Sequence, residues 1–190
     1  MSLKERTVTG IAWNTAARVI QQAIQFTLSV ILARLLVPAD YGLVGMVAVF
    51  TGFATLFAEF GFSSAIVYRP DLRPIHLTSI FWVNLAAGVL LAAVFWMGAP
   101  FVAAFYETPT LAGITRAIGL NFLLSAFSIV PSALLRRRMA FDRVAALNVL
   151  AALLAGIVAV GLAYAGLGAW ALVIQGLVSA ACISGLALAF

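Results

Sequence analysis

The strongest constraint on the fold of this chain is a series of long apolar runs separated by short polar or turn-forming segments. A helix needs about 20 mostly apolar residues to cross the roughly 30 Å hydrocarbon core of a bilayer. Six runs reach that length: residues 11–36, 43–67, 77–99, 111–135, 144–165 and 169–190. Because 65% of the residues are hydrophobic and only 9% are charged, a water-soluble domain could not bury this apolar surface. The sequence therefore predicts an all-α, polytopic membrane protein with six transmembrane helices.

The basic residues outside these runs predict how the helices are oriented. Lys4 and Arg6 precede the first run, two arginines lie in residues 69–76, and four lie in residues 136–143. The three remaining loops contain no Lys or Arg. Because Lys and Arg accumulate in cytoplasmic loops, this pattern predicts a multi-pass protein with a cytoplasmic N-terminus. The basic residues are separated by apolar runs and form no soluble basic face, so nucleic acid is not a predicted partner.

The first apolar run contains polar residues that are costly in lipid. On a helical wheel at about 100° per residue, six of them fall within about 100° of arc. This polar stripe consists of Asn14, Arg18, Gln21, Gln22, Gln25 and Ser29. An arginine at this depth costs several kcal/mol against lipid, so the stripe must be covered by protein or by water. We expect it to line a cavity; the alternative is that its side chains bond to neighbouring helices and hold the bundle together.

Two charged residues inside the runs are expected to meet. At about 1.5 Å per residue, Arg18 in the first run and Glu59 in the second both lie about 10–12 Å inside the predicted cytoplasmic boundary. Antiparallel packing of the first two helices would bring them together, and a buried charge needs a partner, so we predict an Arg18–Glu59 ion pair. The pair could be purely structural, or an anionic substrate or a proton on Glu59 could compete for it.

Other polar groups in the runs are expected to serve the membrane interface or helix packing. Arg34 and Arg116 lie near the outer ends of their runs, where Asp40 and Glu107 are candidate partners. Smaller polar groups are individually expected to bond neighbouring helices rather than a substrate. These are Asn84, Asn121, Ser125, Ser128, Ser132, Gln175, Ser179 and Cys182.

Three segments carry a resemblance to a known family. Residues 31–67 contain the pattern AR-L-L-x-P-x-D-Y-G, followed by a run that ends in E-x-G-x-x-x-A-[IV]. VPSALLRRRMAF at 130–141 and GLGAWALVIQ at 166–175 extend the match. Together they resemble the polysaccharide transporter branch of the multidrug/oligosaccharidyl-lipid/polysaccharide exporter superfamily, and most closely its O-antigen, colanic-acid and teichuronic-acid exporters. Val37 stands where many relatives have glycine, which affects only the local turn.

The resemblance implies a fold, a location and a cargo. The family is built from two helical lobes around a central cavity, so residues 1–190 would form the N-terminal lobe without its C-terminal lobe. Such proteins are thought to flip undecaprenyl-diphosphate-linked oligosaccharide across the bacterial inner membrane by alternating access, for lipopolysaccharide or capsular and exopolysaccharide synthesis. The expected partners are thus this lipid-linked oligosaccharide, membrane lipids and the second lobe.

The helical wheel assigns the polar stripe to parts of that cargo. Arg18 would face the anionic diphosphate. Sugar hydroxyls would be met by Asn14, Gln21, Gln22 and Gln25.

Two other functions stay open on sequence grounds. A cation-coupled exporter of small drugs, from the same superfamily, could use Glu59 as its coupling acid and would need an acidic, aromatic-lined cavity. A membrane glycan polymerase or ligase usually needs a substantial outer loop with His, Arg or carboxylate side chains. In the longest predicted outer loop, residues 100–110, Glu107 is the only residue of these types. Since the chain also lacks a nucleophile–base set, a metal cluster and a phosphate loop, the sequence predicts neither an enzyme nor a cofactor.

Overall fold

The fold is a bundle of α-helices. The computed structural model describes the backbone of residues 3–58, 74–137 and 141–189 and the side chains of residues 18–55, 78–135 and 144–186. Within these residues the chain forms six helices and no strand, which confirms the predicted all-α class. The helices are α1 (Leu3–Leu35), α2 (Pro38–Ala58), α3 (Pro74–Phe105), α4 (Thr110–Arg137), α5 (Phe141–Tyr164) and α6 (Ala169–Ala189).

Four helices in the described part are long and apolar enough to cross a membrane by length and composition. They are Thr78–Phe105, Thr110–Leu135, Val144–Tyr164 and Ala169–Leu186. These helices confirm a polytopic membrane protein, and the count of six transmembrane helices stays a prediction. The described part of α1 is less apolar because it carries the polar stripe and Arg34, and that of α2 stops at Ala58, before the predicted end of its run.

The packing partner of α1 differs from the expected one. Within the described residues α1 packs mainly against α5, whereas α2 packs against α3, α4 and α6. The reason is a surface of small residues on α5: Leu28 closes onto Gly156, and Leu32 packs in a buried cluster with Ala159 and Ala163. The expected close packing of the first two helices is therefore wrong for the part of the chain that is described.

A second core joins α2, α3, α4 and α6. Its buried members are Val47, Ala54, Phe95, Ala103, Leu111, Ile114, Ala169 and Val173. A side chain at either of two glycines would push α3 and α4 apart: a Cβ at Gly88 would lie 2.7 Å from the Ala126 Cβ, and one at Gly119 would lie 2.6 Å from the Phe95 Cβ. Small residues of this kind let membrane helices approach closely, which strengthens their dispersion contacts.

The Asp40 carboxylate joins the N-terminal ends of two helices. Its Oδ2 accepts the Val37 N–H at the start of α2, at 3.2 Å, and its Oδ1 accepts the Ala169 N–H at the start of α6, at 3.0 Å. Both N–H groups would otherwise lack partners within their own helices, and both helix dipoles favour a negative charge there. Asp40 was expected to pair with an arginine; both its oxygens instead accept backbone N–H groups.

Arg116, for which Glu107 was a candidate partner, contacts a different side chain. The Arg116 guanidinium carbon lies 5.9 Å from the centroid of the exposed Trp96 ring, within the range of a cation–π contact. Both residues lie on the α3–α4 pair, so the contact links neighbouring helices. Within the described residues Arg116 thus meets an aromatic ring instead of the carboxylate of Glu107.

We expect removal of the Asp40 carboxylate to destabilise the bundle. Replacing a capping side chain with alanine costs about 0.5–2 kcal/mol for one helix end, and Asp40 serves two. Asp40→Ala in the full-length protein should therefore lower the thermal unfolding midpoint in detergent, and Asp40→Asn, which keeps one acceptor oxygen, should lower it less. Gly168→Ala should act in the same direction, because Gly168 has φ of 54° and a Cβ there would lie 2.6 Å from the Asp40 Oδ1. An unchanged unfolding midpoint for Asp40→Ala would contradict the role of this carboxylate in joining the two helix ends.

Candidate functional site

Three adjoining cavities form a polar trough along α1, α5 and α6. The first, about 260 Å³, lies between α4, α5 and α6 and is lined by Ser128, Ser132 and Asn148. The second, about 320 Å³, lies between α1, α5 and α6. The third, about 220 Å³, reaches the start of α2. The polar residues of the second and third cavities are Gln21, Gln25, Ser29, Tyr41, Asn148, Gln175 and Ser179.

The cavities adjoin one another, because neighbouring ones share side chains. Asn148 and Ile183 line both the first and the second cavity. Gln25, Leu172 and Gln175 line both the second and the third. The trough therefore runs from the C-terminal end of α4 to the C-terminal half of α1.

Helical periodicity brings the polar groups to this one surface. Gln21, Gln25 and Ser29 repeat every four residues on α1, and Gln175 and Ser179 do so on α6, so each set follows one helix face. Between them α5 presents Ala152 and Ala155, whose small side chains leave the space that the second cavity occupies.

The polar groups of the trough are neutral, and most lack a protein partner. Within the described residues no charged side chain lines the three cavities. The amides of Gln21, Gln25, Asn148 and Gln175 make no hydrogen bond with any described protein group. An amide has two N–H donors and a carbonyl acceptor, so these groups are available to water or to a polar ligand.

Two polar side chains elsewhere in the bundle are bonded within the protein. Asn84 donates to the Ile80 carbonyl at 2.9 Å, and Ser184 donates across the α4–α6 contact to the Leu124 carbonyl at 2.6 Å. Both side chains are buried. Asn84 thus bonds within α3 and Ser184 links α4 to α6, whereas the buried Thr115 Oγ1 and Asn121 Oδ1, also outside the trough, make no hydrogen bond with any described group.

The structure divides the polar stripe of α1. Gln21, Gln25 and Ser29 line the trough. Arg18 and Gln22 are exposed and do not line any of its three cavities. Gln22 lies at the edge of the stripe's arc, beyond the face that α1 turns toward α5 and α6. The Asn14 side chain and Glu59 lie outside the described residues, so the Arg18–Glu59 pair stays a prediction.

Several trough residues were not expected from the sequence. Asn148 was not singled out, and Gln175, Ser179, Ser128 and Ser132 were expected to be packing residues. The four-residue spacing of Gln175 and Ser179 was a usable signal, because it matches that of Gln21 and Gln25. Asn148 gave a weaker signal, as a lone amide near the start of the apolar run of α5.

Comparison with known proteins gives the family. The sequence profile of the family described as "Polysaccharide biosynthesis protein" matches residues 31–190. The chain belongs to this family. The resemblance to polysaccharide exporters noted from its motifs is thereby confirmed. No solved structure matches the chain significantly.

The relatives that the chain resembles include a transport protein. The chain is 30% identical over 182 residues to the succinoglycan biosynthesis transport protein ExoT of Rhizobium meliloti, covering 94% of this chain and 36% of ExoT. It is 24% identical over 156 residues to the lipopolysaccharide biosynthesis protein WzxC of Escherichia coli, covering 82% and 32%. It is 24% identical over 148 residues to the teichuronic acid biosynthesis protein TuaB of Bacillus subtilis, covering 78% and 31%. The chain thus spans about a third of the length of these relatives.

We expect the trough to hold water in the full-length protein. Gln25 lines two cavities, whereas its neighbour Phe26 is exposed and lines none of the three. In a background without other cysteines, including Cys182→Ser, a water-soluble maleimide should label Gln25→Cys several-fold faster than Phe26→Cys, because the reactive thiolate forms in water. Equal labelling rates for the two variants would contradict a water-filled trough.

Proposed function

We propose that this chain is the N-terminal lobe of a transporter that moves undecaprenyl-diphosphate-linked oligosaccharide across the bacterial inner membrane by alternating access. The cargo would serve lipopolysaccharide or capsular and exopolysaccharide synthesis. The observation that carries the proposal is the trough of four unpaired amides in a chain of the polysaccharide biosynthesis family. The names of ExoT and WzxC, which refer to transport and to lipopolysaccharide biosynthesis, support it further.

The chemistry of the trough suits a glycan. Each sugar hydroxyl is a donor and an acceptor, and so is each glutamine or asparagine amide. A single hydrogen bond of this kind contributes about 0.5–1.5 kcal/mol net, so several contacts can bind a sugar chain while each one breaks easily. A transport pathway needs that combination, because its cargo must both enter and leave.

The orientation follows the loop charges. We propose that all six helices cross the membrane and that the N-terminus and residues 136–143 are cytoplasmic, since the basic residues concentrate there. The first cavity, near the C-terminal end of α4, would then open toward the cytoplasm. The thiol labelling described above, applied from the cytoplasmic side, would reach a cysteine within residues 136–143 and not Glu107→Cys.

Arg18 would supply the cation for the diphosphate. It is exposed on α1, about one turn before Gln21, so its charge would lie beside the trough on the cytoplasmic side of the second cavity. An arginine matches a phosphate through paired N–H donors. The same proposal includes an ion pair between Arg18 and Glu59 that balances this charge when no cargo is bound.

The lining favours a glycan over the other two functions. A cavity for cationic drugs needs carboxylates and aromatic rings, whereas Tyr41 is the one aromatic side chain and no carboxylate is present among the described lining residues. For an enzyme, the described residues contain no group of three or more His, Cys, Asp or Glu side chains suited to a metal. The name of ExoT, which describes a transport protein, fits a function without catalytic activity.

The adjacent glutamines of α1 provide a matched test of the proposal. In a strain that depends on the full-length protein, Gln21→Leu should reduce export of the surface polysaccharide several-fold, because it removes an amide from the second cavity. Gln22→Leu makes the same chemical change outside the trough lining and should retain most export. Polysaccharide at the cell surface is measured per unit of membrane-inserted protein. Equal export by the two variants would contradict transport along the trough.

The role of Arg18 is tested by its charge. Arg18→Ala should abolish export while the protein remains inserted, and Arg18→Lys should keep part of it, since lysine supplies the charge without the paired donors. The double change Arg18→Ala with Glu59→Gln is the control for a structural ion pair. Recovery of export in the double variant would contradict the role of Arg18 in binding the diphosphate.

A further inference from the structure

An amide stands at each boundary within the trough. Asn148 on α5 belongs to both the first and the second cavity, and Gln175 on α6 belongs to both the second and the third. Asn148 and Gln175 therefore stand between neighbouring cavities, where each can contact a ligand in either one. Both amides make no hydrogen bond with described protein groups, so neither must break an internal bond to contact a ligand.

We infer that the trough takes the uncharged, hydroxyl-rich part of the cargo, and that Asn148 and Gln175 pass this part from one cavity to the next. The inference rests on the proposed function and adds a substrate class and two residues to it. It implies that the anionic part of the cargo travels outside the three cavities, on the side of α1 where Arg18 is exposed.

The absence of charge in the described lining carries the substrate class. A lining cation would form charge-assisted hydrogen bonds with an anionic cargo group, and these are roughly twice as strong as neutral ones. It would also repel cargo of its own sign. Neutral amides do neither, and because each carries both donors and an acceptor, they accept a sugar hydroxyl in several orientations.

The setting of Asn148 distinguishes it from a packing residue. Its neighbours in the second cavity include Ala152 on its own helix and Ile183 on α6, and the side chains of these two residues cannot form a hydrogen bond with an amide. Asn84, an asparagine of α3, is buried and bonded to the Ile80 carbonyl. Two residues of one type thus differ in whether the protein itself satisfies their amide, and only Asn148 lines the trough.

Isosteric and apolar replacements of Asn148 test the inference in the full-length protein. Asn148→Asp keeps the shape of the side chain, offers two acceptor oxygens to sugar hydroxyls in place of one, and adds a negative charge, whereas Asn148→Leu removes all hydrogen bonding. With a neutral sugar at this site, Asn148→Asp should retain at least half of wild-type export and Asn148→Leu should lose several-fold. Asn84→Leu is the matched control and should retain export. The measurement is surface polysaccharide per unit of inserted protein.

Each other pattern overturns the inference. If Asn148→Asp exports no more than Asn148→Leu, an anionic part of the cargo passes Asn148, or the residue makes no sugar contact. If Asn148→Leu exports as the wild type does, Asn148 does not contact the cargo. Should either variant fail to insert, Gln175→Glu and Gln175→Leu make the same comparison at the second boundary. If the wild-type full-length protein itself supports no export, the proposed function fails, and this inference fails with it.

Discussion

The cost of leaving polar groups against hydrocarbon governs the arrangement of this bundle. A buried amide or hydroxyl without a partner costs about 1–3 kcal/mol, and α1 carries several along one face. The structure turns Gln21 and Gln25 toward α5 and α6, where Asn148, Gln175 and Ser179 converge. Polar groups from three helices thus share one water-accessible space instead of facing lipid separately. This cost explains why the trough forms, while the small residues of α5 let α1 pack against it.

Small residues and a single carboxylate determine where that space lies. Ala152 and Ala155 leave the volume of the second cavity, while Leu28 against Gly156 fixes how close α1 can come to α5. At the other end the Asp40 carboxylate ties α2 to α6 through their N-terminal N–H groups. Tyr41 follows directly and lines the third cavity, so the clamp that stabilises two helices also positions a trough residue.

Much of the fold could be predicted from the sequence, because run length and periodicity are properties of single helices. The run 169–190 matches α6, and the run 77–99 lies inside the longer α3, which continues through Pro100 to Phe105. Two of the four trough amides could be predicted for the same reason: Gln21 and Gln25 follow the period of one helix. Asn148 could not, because its role depends on which helices pack around it. Gln22 was included because the wheel gives a face about 100° wide, and the contact with α5 and α6 uses only part of it.

Polar and charged side chains of α1 remain exposed along the open side of the trough. Gln25, Ser29 and Arg18 remain exposed on α1, which places an unsatisfied amide and a cation along a helix of a membrane protein. Lipid cannot satisfy these groups, so water or further protein must cover them. Under the proposed function the cover is the second lobe, and the chain spans about a third of the length of its relatives. A glycan between the two lobes would bond to α1, α5 and α6 on the side of this lobe only. Because hydrogen bonds to neutral amides are weak, the glycan would be released when the lobes separate.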